Sequence, residues 1–75
     1  MSRAQFGAGP HVGLGSLAPG DLVFFATNTG NPSTIHHVGM YIGGGAMVEA
    51  PYSGASIRIA SIGRRDLIGA IRPTG

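Results

Sequence analysis

Glycine sets the terms on which this chain folds: 14 of its 75 residues are Gly and 5 more are Pro, spaced so that every apolar run is soon interrupted. Inside a helix each Gly costs about 1 kcal/mol relative to Ala and each Pro about 3. No long amphipathic helix can be traced. What lies between the breaks is a series of short apolar runs flanked by turn residues, the pattern of strands. Leu22-Val23-Phe24-Phe25-Ala26 is apolar throughout, which suits a strand covered on both faces. His37-Val38-Gly39-Met40-Tyr41-Ile42 alternates, and Ala46-Met47-Val48-Glu49-Ala50 comes after three glycines. Two further runs span residues 57–60 and 67–72, and turns fall at Ala18-Pro19-Gly20-Asp21, Pro51-Tyr52-Ser53-Gly54 and Gly63-Arg64-Arg65-Asp66. The expectation is a mainly β domain: an antiparallel meander of about five strands over residues 17–75, curled into a half-barrel. Residues 1–16 read as an irregular lead-in with at most one helical turn near residues 3–6. Asp21 reads as a cap on the turn into the first of these strands.

A chain of this length forms one small domain and buries only about 60% of the surface its unfolded form exposes. With no Cys there is no disulfide, no thiolate-held zinc and no thiol nucleophile within it. No apolar run approaches the ~18 residues of a membrane-spanning helix, and the start lacks the layout of a signal peptide. The five basic residues are all Arg, against three acids. A net charge of +2 without an aromatic-studded basic stripe argues against nucleic acid as a partner.

Chemistry concentrates in the central hairpin. Directly opposed residues of an antiparallel pair share a face, and faces alternate along each strand. With Gly43-Gly44-Gly45 as the loop, Ile42 opposes Ala46, Met40 opposes Val48 and Val38 opposes Ala50. These apolar pairs read as the core face. The other face then holds His37, Gly39, Tyr41, Met47 and Glu49, with Glu49 diagonal to His37 at a Cα separation of about 7–8 Å. A two-residue loop would part the two groups. An imidazole beside a carboxylate is the base-and-orienter half of a nucleophilic triad. Two other readings of the residues stay open: a half-exposed pair on the solvent side, and a metal site using His36, His37 and Glu49, of which at most two converge. His11 and His36 read as loop or strand-edge histidines. Ser33 and Thr34 lack the glycines and helix of a nucleophile elbow. Tyr41 and Met47 read as packing residues, and Arg64 and Arg65 as a solvated turn.

Several segments together resemble one family. Leu17-Ala18-Pro19-Gly20-Asp21-Leu22-Val23-Phe24-Phe25, His37-Val38-Gly39-Met40-Tyr41-Ile42-Gly43, Ala46-Met47-Val48-Glu49-Ala50-Pro51 and Gly63-Arg64-Arg65-Asp66-Leu67-Ile68-Gly69 match, in order, the motifs of NlpC/P60 domains of the actinobacterial cell-wall type. The resemblance implies the sheet half of a papain-like α+β cysteine endopeptidase acting on peptidoglycan stem peptides, exported to the cell wall and needing no cofactor. It places the general base at His37 and its orienting residue at Glu49. The family's Cys lies in a D-C-S-G-L-type helix segment ahead of everything seen here. Ser2-Arg3-Ala4-Gln5-Phe6-Gly7-Ala8-Gly9 resembles the S-x-x-Q-[YF]-x-x-G tail at the end of that helical half. The expectation is therefore a truncated domain, inactive alone, that self-associates through a sheet face left uncovered. The alternatives are a non-catalytic peptidoglycan-binding module and a half that complements a Cys-bearing chain.

Overall fold

A computed structural model of the chain describes residues 2–50 and 54–73. After a single helical turn, α1 (Ser2–Phe6), come six strands: β1 (His11–Val12), β2 (Leu22–Ala26), β3 (Ile35–Gly43), β4 (Ala46–Glu49), β5 (Arg58–Ser61) and β6 (Leu67–Ile71), with a 3-10 turn at Pro32–Thr34. They form one open antiparallel sheet in the order β1-β6-β2-β3-β4-β5. The mainly β, antiparallel expectation holds. Strands β2 to β5 meander as expected, but the last long strand returns to the free edge of β2. A two-residue strand from the lead-in, His11–Val12, extends the sheet beyond it. The turn read at Pro51-Tyr52-Ser53 lies outside the described residues.

Strand β2 is covered on both faces, with Val23, Phe24, Phe25 and Ala26 all buried. Without the family's cysteine helix one sheet face was expected to be left uncovered, yet the chain's own elements cover both faces of β2. On one face Phe24 and Ala26 pack with Ile35 and Ile71, beneath Phe6 of α1. The Phe6 ring stands edge-on to Phe24 at a centroid distance of 5.1 Å, a favoured aromatic geometry. On the other face Val23 and Phe25 pack with Met47 and Ala70. Val12 of β1 and Ala60 of β5 pack against that same cluster. Contributions from both edge strands mean that the sheet curls around it.

The curl corrects the expected inside and outside. Of the set Val38, Met40 and Ile42 read as the core side of the hairpin, Val38 packs against the Phe24 cluster, but Met40 is 48% and Ile42 40% exposed. Met47 is fully buried and Glu49 only 3% exposed. The reason is Gly39. It lies opposite Val23, and a side chain there would place its Cβ 2.5 Å from Met47 Sδ. Lacking one, it lets Met47 reach across β3 to meet Val23 and Phe25, so the hairpin bends toward its less apolar side.

Strand β2 begins beside a second buried carboxylate. Asp21 does accept from a turn backbone group, the Ala18 N–H at 2.8 Å. Its main partner is distant in sequence, because Arg72 donates to it through both Nε and Nη2 at 2.9 Å. Those bonds, and after them the Ala18 N–H, hold the Asp21 carboxyl below its ordinary range.

Candidate functional site

The β3–β4 hairpin keeps the register that the alternation required, with Met40 opposite Val48 and Tyr41 opposite Met47. The turn differs from the expected loop. Gly43, not Ile42, pairs with Ala46, and a bulge between Tyr41 and Gly43 takes up the extra residue. Gly43, Gly44 and Gly45 all have positive φ, at 95°, 61° and 77°, where any other residue would be strained. A two-residue turn plus one bulged residue preserves the same alternation as a three-residue loop. The Tyr41 hydroxyl accepts from the Gly45 N–H and ties the turn to the sheet.

His37 and Glu49 accordingly share a face, and their side chains meet. Nε2 of His37 lies 2.6 Å from Oε1 of Glu49. The Glu49 side chain is 1% exposed and that of His37 12%, so the solvent-side reading of the pair fails. Burial acts to raise the Glu49 carboxyl. Hydrogen bonds from His37 and Arg58 outweigh it and leave the group below its ordinary value. An ionised carboxylate only accepts, so the proton of this bond belongs to His37 Nε2. Phe25 lies beside the imidazole, ring centroids 5.6 Å apart.

Two arginines complete the surroundings. Arg58, directly across from Glu49 in the β4–β5 register, donates from Nε to Oε2 at 2.9 Å. Arg64 lies over the Phe25 ring at 4.5 Å. It grips Asp66 through Nε and Nη2 at 2.9 and 2.6 Å, and its Nη1 comes within 3.9 Å of Glu49 Oε1. That grip raises Arg64 and lowers Asp66 from their ordinary values. Arg64 is thus a packed residue of the site, not merely part of a solvated turn.

His36 turns away from His37, as neighbours on a strand must, and its Nε2 lies 3.2 Å from Asp66 Oδ2. No group of three or more His, Cys, Asp or Glu that could hold a metal occurs among the described residues. His11 bonds the Phe6 carbonyl at 3.0 Å. Ser33 and Thr34 lie in the 3-10 turn capped by Asn31, whose side chain accepts from the Ser33 N–H. Thr34 Oγ1 donates to backbone carbonyls at Asn28 and Asn31. Met47 is a core residue, and Tyr41 packs against its cluster. The alternation of β3 and β4 sufficed to pair His37 with Glu49. The roles of Arg58, Arg64 and Phe25 were missed: Arg58 follows a connection too long to fix its register from sequence, and Arg64 sits in a turn.

The NlpC/P60 family model matches residues 1–67. A γ-D-glutamyl-L-lysine dipeptidyl-peptidase of Bacillus subtilis (strain 168) is 47% identical over 58 residues, covering 77% of this chain and 19% of that protein. The crystal structure of an NlpC/P60 family protein from Bacillus cereus superposes with a TM-score of 0.83 at 36% identity, over 95% of this chain and 24% of the other. The peptidoglycan hydrolase RipB of Mycobacterium tuberculosis gives 0.76 at 29% identity, over 95% of this chain and 34% of the other. The 75 residues therefore span a fifth to a third of these proteins.

Proposed function

Because this chain belongs to the NlpC/P60 family, we propose that it supplies the imidazole–carboxylate half of a papain-like cysteine endopeptidase acting on peptidoglycan stem peptides. His37 is the general base and Glu49 orients it. The observation that carries this reading is the buried 2.6 Å bond between His37 Nε2 and Glu49 Oε1. With Nε2–H committed to the carboxylate, the lone pair of the neutral ring resides on Nδ1. Nδ1 is then the atom that takes the proton of an approaching thiol and later returns it to the leaving amine. The buried negative charge favours the imidazolium formed between those two steps.

The thiol itself is not among these residues, which include no Cys. In this reading the 75-residue chain is inert alone, and a Cys-bearing segment completes the site. The substrate places the assembled enzyme outside the cytoplasm, at the cell wall. Met40 and Ile42, exposed on the outer face, are where the isolated chain self-associates, and sedimentation as a monomer at all concentrations would remove that part of the proposal.

Mixing the chain with a polypeptide that carries the family's Cys-bearing helix, and assaying cleavage of purified stem peptides, tests the main reading. Turnover is expected only in the mixture, and His37→Ala is expected to lower it roughly 10²-fold or more. Cleavage by the 75-residue chain alone, or an undiminished rate with His37→Ala, overturns it. Failure of the mixture to cleave, with the chain nonetheless retained on peptidoglycan, favours a binding module instead.

A further inference from the structure

A carboxylate that orients an imidazole must itself be oriented. Glu49 is buried, only 3% exposed, two residues along β4 from the fully buried Met47. One bond to His37 leaves its carboxyl plane free to turn about the last side-chain torsion, which is broad and soft for Glu. It also leaves the second oxygen buried and unpaired, which is costly for a charged group. Oε2 is instead met by Nε of Arg58 at 2.9 Å. Arg58 stands directly opposite Glu49 on the edge strand β5, with its side chain 59% exposed. One residue reaches the buried oxygen while most of its charge stays in water.

We propose that Arg58 is the positioning residue of this site: by occupying Oε2 it turns Oε1 onto His37 Nε2 and so keeps Nδ1 as the ring nitrogen that accepts a proton. This rests on the reading of His37 and Glu49 as the working pair. Without Arg58 the carboxyl has two alternatives, and each spoils the pair. It rotates and loosens its hold on the ring, or it takes up a proton on Oε2 and loses its charge. A protonated carboxyl can also donate to Nε2, which drives the ring proton to Nδ1 and converts the base into a donor. Among the described residues, the charged and titratable groups facing Glu49 are His37 from β3, Arg58 from β5 and Arg64 from the β5–β6 turn. Arg64 does not substitute for Arg58, since it lies 3.9 Å away and is committed to Asp66, which also meets His36.

The test needs no enzymatic activity. In the full 75-residue chain with ¹⁵N-labelled histidine, imidazole nitrogen shifts report the ratio of the Nε2–H and Nδ1–H forms of neutral His37. The wild type is expected to hold Nε2–H predominantly. Arg58→Gln is expected to lower the ratio by about threefold to tenfold, the scale of the net contribution of one ordinary hydrogen bond, and Arg58→Lys to recover part of it. Arg58→Met, which keeps the aliphatic stem, is the second variant and should match Arg58→Gln. An unchanged ratio in a variant with the wild-type amide spectrum overturns the assignment. So does loss of the folded spectrum in both Gln and Met variants, which would make Arg58 structural. A wild type with mixed tautomers instead sinks the His37–Glu49 reading itself, so the two failures are distinguishable.

Discussion

Asp21 and Glu49 are both buried carboxylates gripped by an arginine from another strand or its end, and they flank β2 at opposite ends. Asp21 just precedes the strand, and Glu49 adjoins the end where Phe25 pairs with His37. Around Asp21 every donor has a purely structural use: Arg72 and the Ala18 N–H close the sheet's seam and a turn. Around Glu49 one oxygen goes to an arginine and the other to an imidazole. Both environments hold a carboxyl below its usual range, so a shifted carboxylate does not by itself mark a working site. The distinguishing feature is a partner whose side chain can both take and give a proton, as imidazole does and guanidinium does not.

The largest expected effect comes from removing what lies under one corner only. Phe25 touches both His37 and Arg64, and Phe25→Ala should cost about 3–5 kcal/mol. In a domain of this size that consumes most of the stability. Chemical denaturation should show loss of a cooperative transition, and a wild-type midpoint would contradict the packing described here. The next effect contrasts the two carboxylates. Glu49→Gln should destabilise by about 1.5–3 kcal/mol, the cost of lost charged hydrogen bonds, and should change the ratio of the Nε2–H and Nδ1–H forms of neutral His37, whose Nε2 meets Glu49. Asp21→Asn should lower stability but leave that ratio in place. Identical His37 tautomer ratios in the two variants would erase the distinction between the corners.

Gly39→Ala is expected to cost about 1–3 kcal/mol by overpacking against Met47, measured by thermal melting. Met47 is fully buried and has little room to give. Acid should produce the most gradual change. Asp21, Glu49 and Asp66 are lowered in the folded state from ordinary values of 3.8, 4.5 and 3.8. Their stabilisation is complete above those values and is lost as pH falls through the folded-state ones, because the unfolded chain then binds protons the native one does not. Stability should be level down to about pH 5 and decline below it. Each of the three single carboxylate variants should remove part of the slope, and a slope unaffected by all of them would argue against these pairings.

The pairing of His37 with Glu49 was legible because it is local, fixed by strict alternation through one short turn. The bulge after Tyr41 altered the turn but not the alternation, so the inference survived the wrong loop. Val38 does pack inward, but the side holding Met40 and Ile42 was misread because these three residues are together more apolar than Gly39, Tyr41 and Met47. A strand's hydrophobicity weighs each side chain but not the gap that Gly39 leaves for a neighbour. Arg58 lies nine positions beyond Glu49, and a connection that long fixes no register. Arg64 sits in a turn, where no periodicity says which way a side chain points. Arg72 meets Asp21 across 51 positions of sequence, a closure that becomes visible only once β6 has returned to β2.

The position of β5 at the rim has one more consequence. Arg58 belongs to a strand hydrogen-bonded on one side only, flanked by Ile57 and Ile59 at 73% and 70% exposure. Rim strands exchange their amide hydrogens early, through partial openings that leave the interior intact. Glu49 therefore takes its second anchor from an edge of the sheet, so warming or mild denaturant would slacken the imidazole's alignment while β2 is still in place. Whatever docks along that rim and quiets it would tighten the pair without touching either member.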